Sequence, residues 1–137
     1  MITVTYHNIQ YDDELRCDFN GSGIIKVRIE GHALFSPEGA KSQSGRKASP
    51  AKGYNLICAA VSFSALTLLR SITIIAGINP DYTINEGLME FRFHAEAVTD
   101  EQKTIIRVLL ESFLIGMLDM RKKYPDEIAV QTVAKNE

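Results

Sequence analysis

A chain of 137 residues supports one domain with one core, here taken as residues 1–137. With 45% hydrophobic and 23% charged residues and a formal net charge of −2, it reads as an ordinary soluble globular protein with no global field for nucleic acid, so any basic partner surface must be local. Its two cysteines, Cys17 and Cys58, form no CxxC or Cys/His cluster, which argues against a disulfide framework, a zinc site or another metal and fits a reducing cytoplasm; no cofactor is expected.

The start, MITVTYHNIQYDDE, lacks the basic head and apolar core of a signal peptide. Residues 2–7 alternate Ile2, Val4 and Tyr6 against Thr3, Thr5 and His7, the period of a half-buried strand. A charged, turn-like interval follows over 8–13, and 14–19 can form a short strand before the turn at Asn20–Gly23. Residues 23–33 place Ile25, Val27 and Ile29 on one face and Lys26, Arg28 and Glu30 on the other, the clearest strand in the chain.

Residues 34–53 then hold four serines, three glycines, two prolines and no β-branched residue, with Lys41, Arg46, Lys47 and Lys52 against Glu38. Such a composition predicts a mobile basic surface loop, either a functional lid or a disordered insertion. Its cations are either solvated or a local surface for nucleic acid or an acidic stretch of a partner; no complete nucleic-acid module is present.

Residues 56–76 are apolar on nearly every side and stop at Gly77, Asn79 and Pro80, which predicts a buried central helix. Ser62, Ser64, Thr67, Arg70, Ser71 and Thr73 interrupt the run and argue against a membrane span. Residues 82–95 alternate Leu88, Glu90, Arg92 and His94 against Met89, Phe91, Phe93 and Ala95, as one strand with one apolar face. Thr99 and Gln102 form a T-x-x-Q capping box ahead of an amphipathic helix that runs to Pro125, and 127–133 can return as an edge strand. The fold class expected is α+β: a two-layer sandwich with two long helices on one face of a mostly antiparallel four- or five-stranded sheet.

Cys58 is either packed core or a nucleophile, since a cysteine among alanines usually behaves as a small hydrophobe. If Asn55 is the N-cap of the central helix, Cys58 falls in its first turn. Free backbone N–H groups and the positive end of the helix dipole there favour a thiolate and can hold an oxyanion. A base is still needed. His32, at the end of the clear strand, is the best placed by sequence, either on the polar side by alternation or re-aimed by a bulge at Gly31. Ser62, one turn after Cys58 on the same helical face, either bonds near the thiol, lets the helix pack closely, or bonds back to the carbonyl of residue 58. Cys17, His7 and His94 stand outside any constellation, and Phe91, Phe93 and Phe113 read as core.

The pair of motifs "GHA" at Gly31–Ala33 and "GYNLICAAVS" at Gly53–Ser62 resembles the signature of the ribosomal-processing cysteine protease family, Prp, in which a strand ending Gly-His-Ala is followed by a helix opening Gly-x-Asp-x-x-Cys-Ala-Ala-x-Ser. The resemblance implies a cytosolic thiol endopeptidase, usually a homodimer, that removes the N-terminal extension of a large-subunit ribosomal protein precursor, with Cys58 as nucleophile and His32 as general base. Asn55 stands at the family's Asp position, where it keeps the cap without the negative charge. The 34–53 loop is longer and more basic than the family's covering loop. The other classes open to this sequence are a non-catalytic ribosome-associated interaction module and a different thiol-dependent transferase or hydrolase on the same scaffold.

Overall fold

The structure is a computed structural model that describes residues 1–31, 34–35 and 52–134, with the backbone alone for 52–55. In chain order it contains β1 (Ile2–His7), β2 (Ile9–Tyr11), β3 (Cys17–Phe19), β4 (Ile24–Glu30), α1 (Lys52–Ser71), β5 (Asp81–Asn85), β6 (Leu88–His94), α2 (Asp100–Lys123) and β7 (Ile128–Val133). Five strands form one sheet in the order β5-β6-β4-β1-β7, antiparallel except where β1 and β7 run parallel. β2 and β3 pair as a separate ribbon. The two-layer α+β architecture expected from the pattern is the one found.

The core follows directly from the alternation. Val4 lies opposite Ile29 and Tyr6 opposite Val27, while Val27 and Ile29 meet Phe91 and Met89 on their other side. All of these are at most 1% exposed, so the inward faces of three adjacent strands make a continuous apolar floor. The helices cover it with stripes at helical spacing: Ile57, Val61, Ala65 and Leu68 from α1, and Ile106, Leu110, Phe113 and Met117 from α2. On the opposite face the Glu90 carboxylate takes Arg28 at 2.6 Å and Arg92 at 3.1 Å.

α2 has the ends its sequence specifies. The Gln102 N–H donates to Thr99 Oγ1 at 3.1 Å and the Thr99 N–H to Gln102 Oε1 at 3.0 Å, the reciprocal capping box. Asp100 and Glu101 sit in its first turn and Arg121, Lys122 and Lys123 in its last, each complementing the local dipole charge. The Tyr6 hydroxyl, 1% exposed, donates to the Leu110 carbonyl at 2.8 Å and ties the central strand to this helix. Burial pushes the Tyr6 phenol well above its ordinary pKa, so it remains a donor. Tyr6→Phe is expected to lower unfolding stability by about 1 kcal/mol in urea titration with the slope unchanged.

Four sequence expectations are corrected. The interval at 8–13 contains a strand, β2, because Asn8 at φ 65° interrupts the extended backbone after β1 and lets Ile9, Gln10 and Tyr11 pair with β3 in a separate sheet. The run 82–95 is a hairpin rather than one strand: Gly87 at φ 82° turns the chain between β5 and β6. The central α-helix ends at Ser71 and gives way to a π turn over Ile72–Ala76, where the β-branched Ile72, Thr73, Ile74 and Ile75 crowd an α-helical backbone. Gly77, at φ 80°, closes that turn with its N–H on the Ile72 carbonyl at 3.1 Å.

The fourth concerns the loop. Leu34 is wholly buried and Phe35 packs against the core, while Lys52 and Gly53 already belong to α1, so the segment between the two elements is shorter than 34–53. Local composition reads as loop at both ends, and tertiary burial of two apolar side chains overrides it at the first end. At the other end Pro50 lies just upstream, where proline favours a helix start, and nothing from Lys52 onward breaks one.

Candidate active site

The site is built where the end of β4 meets the first half of α1. Cys58 is the seventh residue of α1 and only 4% exposed, on the stripe with Ile57, Val61 and Ala65 that faces the sheet. This corrects two expectations. Asn55 lies inside the helix and is not its N-cap, and Cys58 is in the second turn, beyond the four residues whose N–H groups lack intrahelical partners. The helix dipole weakens past the first turn, so the helix start alone does not supply the charge stabilisation expected for this thiol.

The strand end is held from three directions. Leu34 N–H donates to the Gly31 carbonyl at 3.2 Å. Gly31 N–H donates to the Gly87 carbonyl at 3.0 Å, and Gly87 N–H to the Leu34 carbonyl at 2.7 Å. The β5–β6 turn therefore clamps both ends of this short segment. From the helix side, Ser62 Oγ accepts the Phe35 N–H at 3.2 Å. Ser62 thus joins α1 to the strand-end segment, a role none of its three sequence readings named.

Phe35 has φ 56°, in the left-handed region that an aromatic side chain rarely occupies. The hydrogen bond to Ser62 and the burial of the neighbouring Leu34 over-determine that conformation. Space at Gly31 is tight: a Cβ there would come within 3.1 Å of the Ile2 Cα and 3.3 Å of Leu34 Cδ1, so a neighbour would have to give by a few tenths of an ångström.

The remaining sequence candidates fall as follows. His32 lies outside the described residues, as do Lys41, Arg46 and Lys47. Lys52 and Asn55 are placed by their helical backbone alone. Cys17 is wholly buried on β3, its N–H donating to Glu111 Oε2 at 2.9 Å and its carbonyl accepting from Arg107 Nε at 3.0 Å. Burial, with the Glu111 charge adding to it, pushes the Cys17 thiol up to about 12, so it stays protonated at neutral pH. Burial also draws the His7 imidazole down, with Lys26 acting in the same direction, and His7 Nε2 has no hydrogen-bond partner among the described residues. His94 is exposed at the end of β6. Among the described residues no three His, Cys, Asp or Glu side chains are grouped to hold a metal. Neither cysteine is in a disulfide.

Sequence reading missed Gly87, Leu34 and Phe35 as parts of this site. The signal for Gly87 was the Glu86–Gly87 dipeptide inside an alternating run, a turn mark that the alternation concealed. No local signal distinguishes Leu34 and Phe35 from loop, because their burial is decided by β1 and α1.

Comparison with known proteins gives this arrangement a lineage. The chain is similar to the ribosomal processing cysteine protease Prp of Bacillus subtilis (strain 168), 24% identical over 112 residues that cover 80% of this chain and 87% of that protein. Its fold is similar to a crystal structure from Streptococcus mutans, with a TM-score of 0.63 at 19% identity over 98% of this chain and 96% of the other. It is also similar to the ribosomal processing protease Prp from S. aureus in complex with a substrate peptide, with a TM-score of 0.61 at 18% identity over 96% and 99% of the two chains. The family model for cysteine protease Prp matches residues 14–129, and with a thiol-bearing helix packed against a clamped strand end, this chain belongs to the cysteine protease Prp family.

Proposed function

We propose that this cysteine protease is an endopeptidase that removes the N-terminal extension of a large-subunit ribosomal protein precursor in the cytoplasm, with Cys58 as nucleophile and His32 as general base. The observation that carries the reading is the bond from the Phe35 N–H to Ser62 Oγ. It ties the segment just after position 32 to the helix face one turn beyond Cys58. Of the two thiols, Cys17 is held protonated under the ribbon, which leaves Cys58 for the chemistry.

The steps balance as acyl transfer. His32 takes the proton from the Cys58 thiol, the thiolate sulfur bonds to the peptide carbonyl carbon, and the oxyanion forms. On collapse the C–N bond breaks, and His32 delivers its proton to the leaving amine, which leaves a thioester on Cys58. Water then attacks the thioester carbonyl carbon with His32 again accepting its proton, the C–S bond breaks on collapse, the proton passes from His32 back to the Cys58 sulfur, and the new carboxyl end departs. Because Cys58 lies past the first helical turn, activation of the thiol falls mainly to His32, with Asn55 positioned one turn before it and uncharged. Lys41, Arg46, Lys47 and Lys52 belong to the segment that would cover bound substrate.

The ribosomal substrate is suggested by the name of the B. subtilis relative and by the peptide held in the S. aureus structure. Homodimerisation is supported by α1, which leaves the large apolar side chains of Leu56 at 68% and Phe63 at 74% exposed.

The test is the rate of Cys58 alkylation by iodoacetamide across pH, in which buried Cys17 is a silent background. A half-maximal rate well below pH 7 that moves toward about 8.5 in His32→Ala is the expected result. A half-maximal rate near 8.5 in both proteins would remove the pair.

A further inference from the structure

We propose that Gly87 is a positioning residue for the reaction, one whose backbone N–H and C=O together fix the strand end from which the general base is presented. The proposal rests on the reading of Cys58 and His32 above and extends it to a residue in a different part of the sheet.

The turn that Gly87 belongs to is not the one its hairpin favours. Asn85 pairs with Leu88, so Glu86 and Gly87 form a two-residue loop between β5 and β6. Loops of that length prefer type I′ or II′ turns, whose twist suits the flanking strands and whose first central residue has a positive φ. Here the left-handed residue is the second: Gly87 has φ 82°, while Glu86 does not have a positive φ. This is the type II pattern, which splays a tight hairpin, so strand geometry alone does not select it.

The tertiary hydrogen bonds do. Types I and II differ by a rotation of the peptide between the two central residues, since ψ of the first and φ of the second change together. The N–H of that peptide is the Gly87 N–H, and it donates to the Leu34 carbonyl at 2.7 Å. The Gly87 carbonyl accepts the Gly31 N–H at 3.0 Å. Glycine suits the position twice over: φ 82° is strained for most side chains, and a Cβ would lie 3.3 Å from the Gly31 carbonyl oxygen.

What Gly87 holds leads toward both reacting groups. Gly31 immediately precedes His32 in the chain. Leu34 is wholly buried, and the next residue, Phe35, donates its N–H to Ser62 Oγ at 3.2 Å, one turn beyond Cys58 on α1. Rotating the 86–87 peptide would break the bond to Leu34 and free the strand end to shift against the helix that carries the thiol.

The experiment compares the iodoacetamide alkylation profile of Cys58 across pH in Gly87→Ala, Gly87→Asn and Gly77→Ala, with urea titration of each. Gly77→Ala is the matched control: Gly77 has φ 80° where it closes the π turn after α1, and a Cβ there meets only Gln102 Nε2, at 3.8 Å. Both alanine variants are expected to lower the urea midpoint alike, because each forces alanine into a left-handed backbone. Only Gly87→Ala is expected to raise the half-maximal pH of alkylation, by about one unit, which slows the reaction ~10-fold at pH values below it. Gly87→Asn carries the same Cβ but tolerates the left-handed region, and its alkylation is expected to stay within ~3-fold of wild type. In a His32→Ala background Gly87→Ala is expected to add no further shift, since it acts through that base. The proposal would be overturned by a Gly87→Ala profile like that of Gly77→Ala, by an asparagine variant as slow as the alanine one, or by a further shift in the His32→Ala background. A Gly87→Ala protein that fails to fold where Gly77→Ala folds would also overturn it, by assigning Gly87 to the sheet rather than to the site. If His32→Ala alone leaves the wild-type profile in place, the Cys58–His32 reading itself fails, so the two failures are separately visible.

Discussion

Cys58→Ala is expected to lower cleavage of a ribosomal protein precursor by ~10⁴-fold or more, since removing a covalent nucleophile leaves only binding and orientation to act on the peptide bond. The same change deletes one buried atom from a position 4% exposed, so its cost to stability is about 1 kcal/mol. Cys17→Ala is the matched comparison: it also truncates a buried cysteine, at a comparable cost, and cleavage should persist. Mass-spectrometric product formation and urea titration of both variants separate the two effects. Cleavage lost in Cys17→Ala and kept in Cys58→Ala would reverse the assignment.

Gly31→Ala is expected to reduce kcat/KM by about 10-fold, because a 3.1 Å contact is relieved by a shift of a few tenths of an ångström, short of the ångström-scale misplacement that costs about 100-fold. The added methyl would sit 3.1 Å from both the Cα and Cγ1 of Ile2, and a backbone carbon in a central strand cannot swing away as a side chain end can. The end of β4 must therefore shift slightly against β1. Overpacking of this kind costs about 1–3 kcal/mol. Gly21→Ala, where a Cβ meets nothing within 4 Å, is the control and should leave both kcat/KM and stability near wild type. Activity retained in Gly31→Ala, with stability lowered, would mean that the strand end does not position the base.

The legible parts of this protein were those in which one periodicity ran without interruption. β4 and α2 were readable because Ile25, Val27 and Ile29, or Ile106, Leu110 and Phe113, report the side they bury at fixed spacing. The β5–β6 hairpin was not, for a parity reason. Read as one strand, Tyr82 and Ile84 share the face of Glu90 and Arg92; after a two-residue turn they lie instead opposite Phe91 and Met89. A short turn inside an alternating run preserves the pattern on each side and hides the reversal. The helix start was misplaced because Asn55 has the chemistry of a cap, and a capping residue in the first turn of a helix cannot be told from one at its boundary by type alone. At the candidate site, the two motifs pointed to Cys58 and His32, whereas the clamp through Gly87 and the link through Ser62 depend on contacts distant in sequence.

The parallel pairing of β1 with β7 bears on how the enzyme comes into being. Ile2 through His7 align residue by residue with Ile128 through Val133, so the second neighbour of β1 is supplied by the strand that follows α2, far later in synthesis. Contacts between segments so far apart carry the full entropic cost of closing the intervening chain and form late. During synthesis β1 can pair with β4 early, but Ile2, the residue against which Gly31 packs, gains the bond from its N–H to the Glu127 carbonyl only after translation has passed that point. A nascent copy would thus carry its cysteine helix and strand end well before the floor beneath them is complete, and proteolytic competence would be delayed until β7 has been made and has paired.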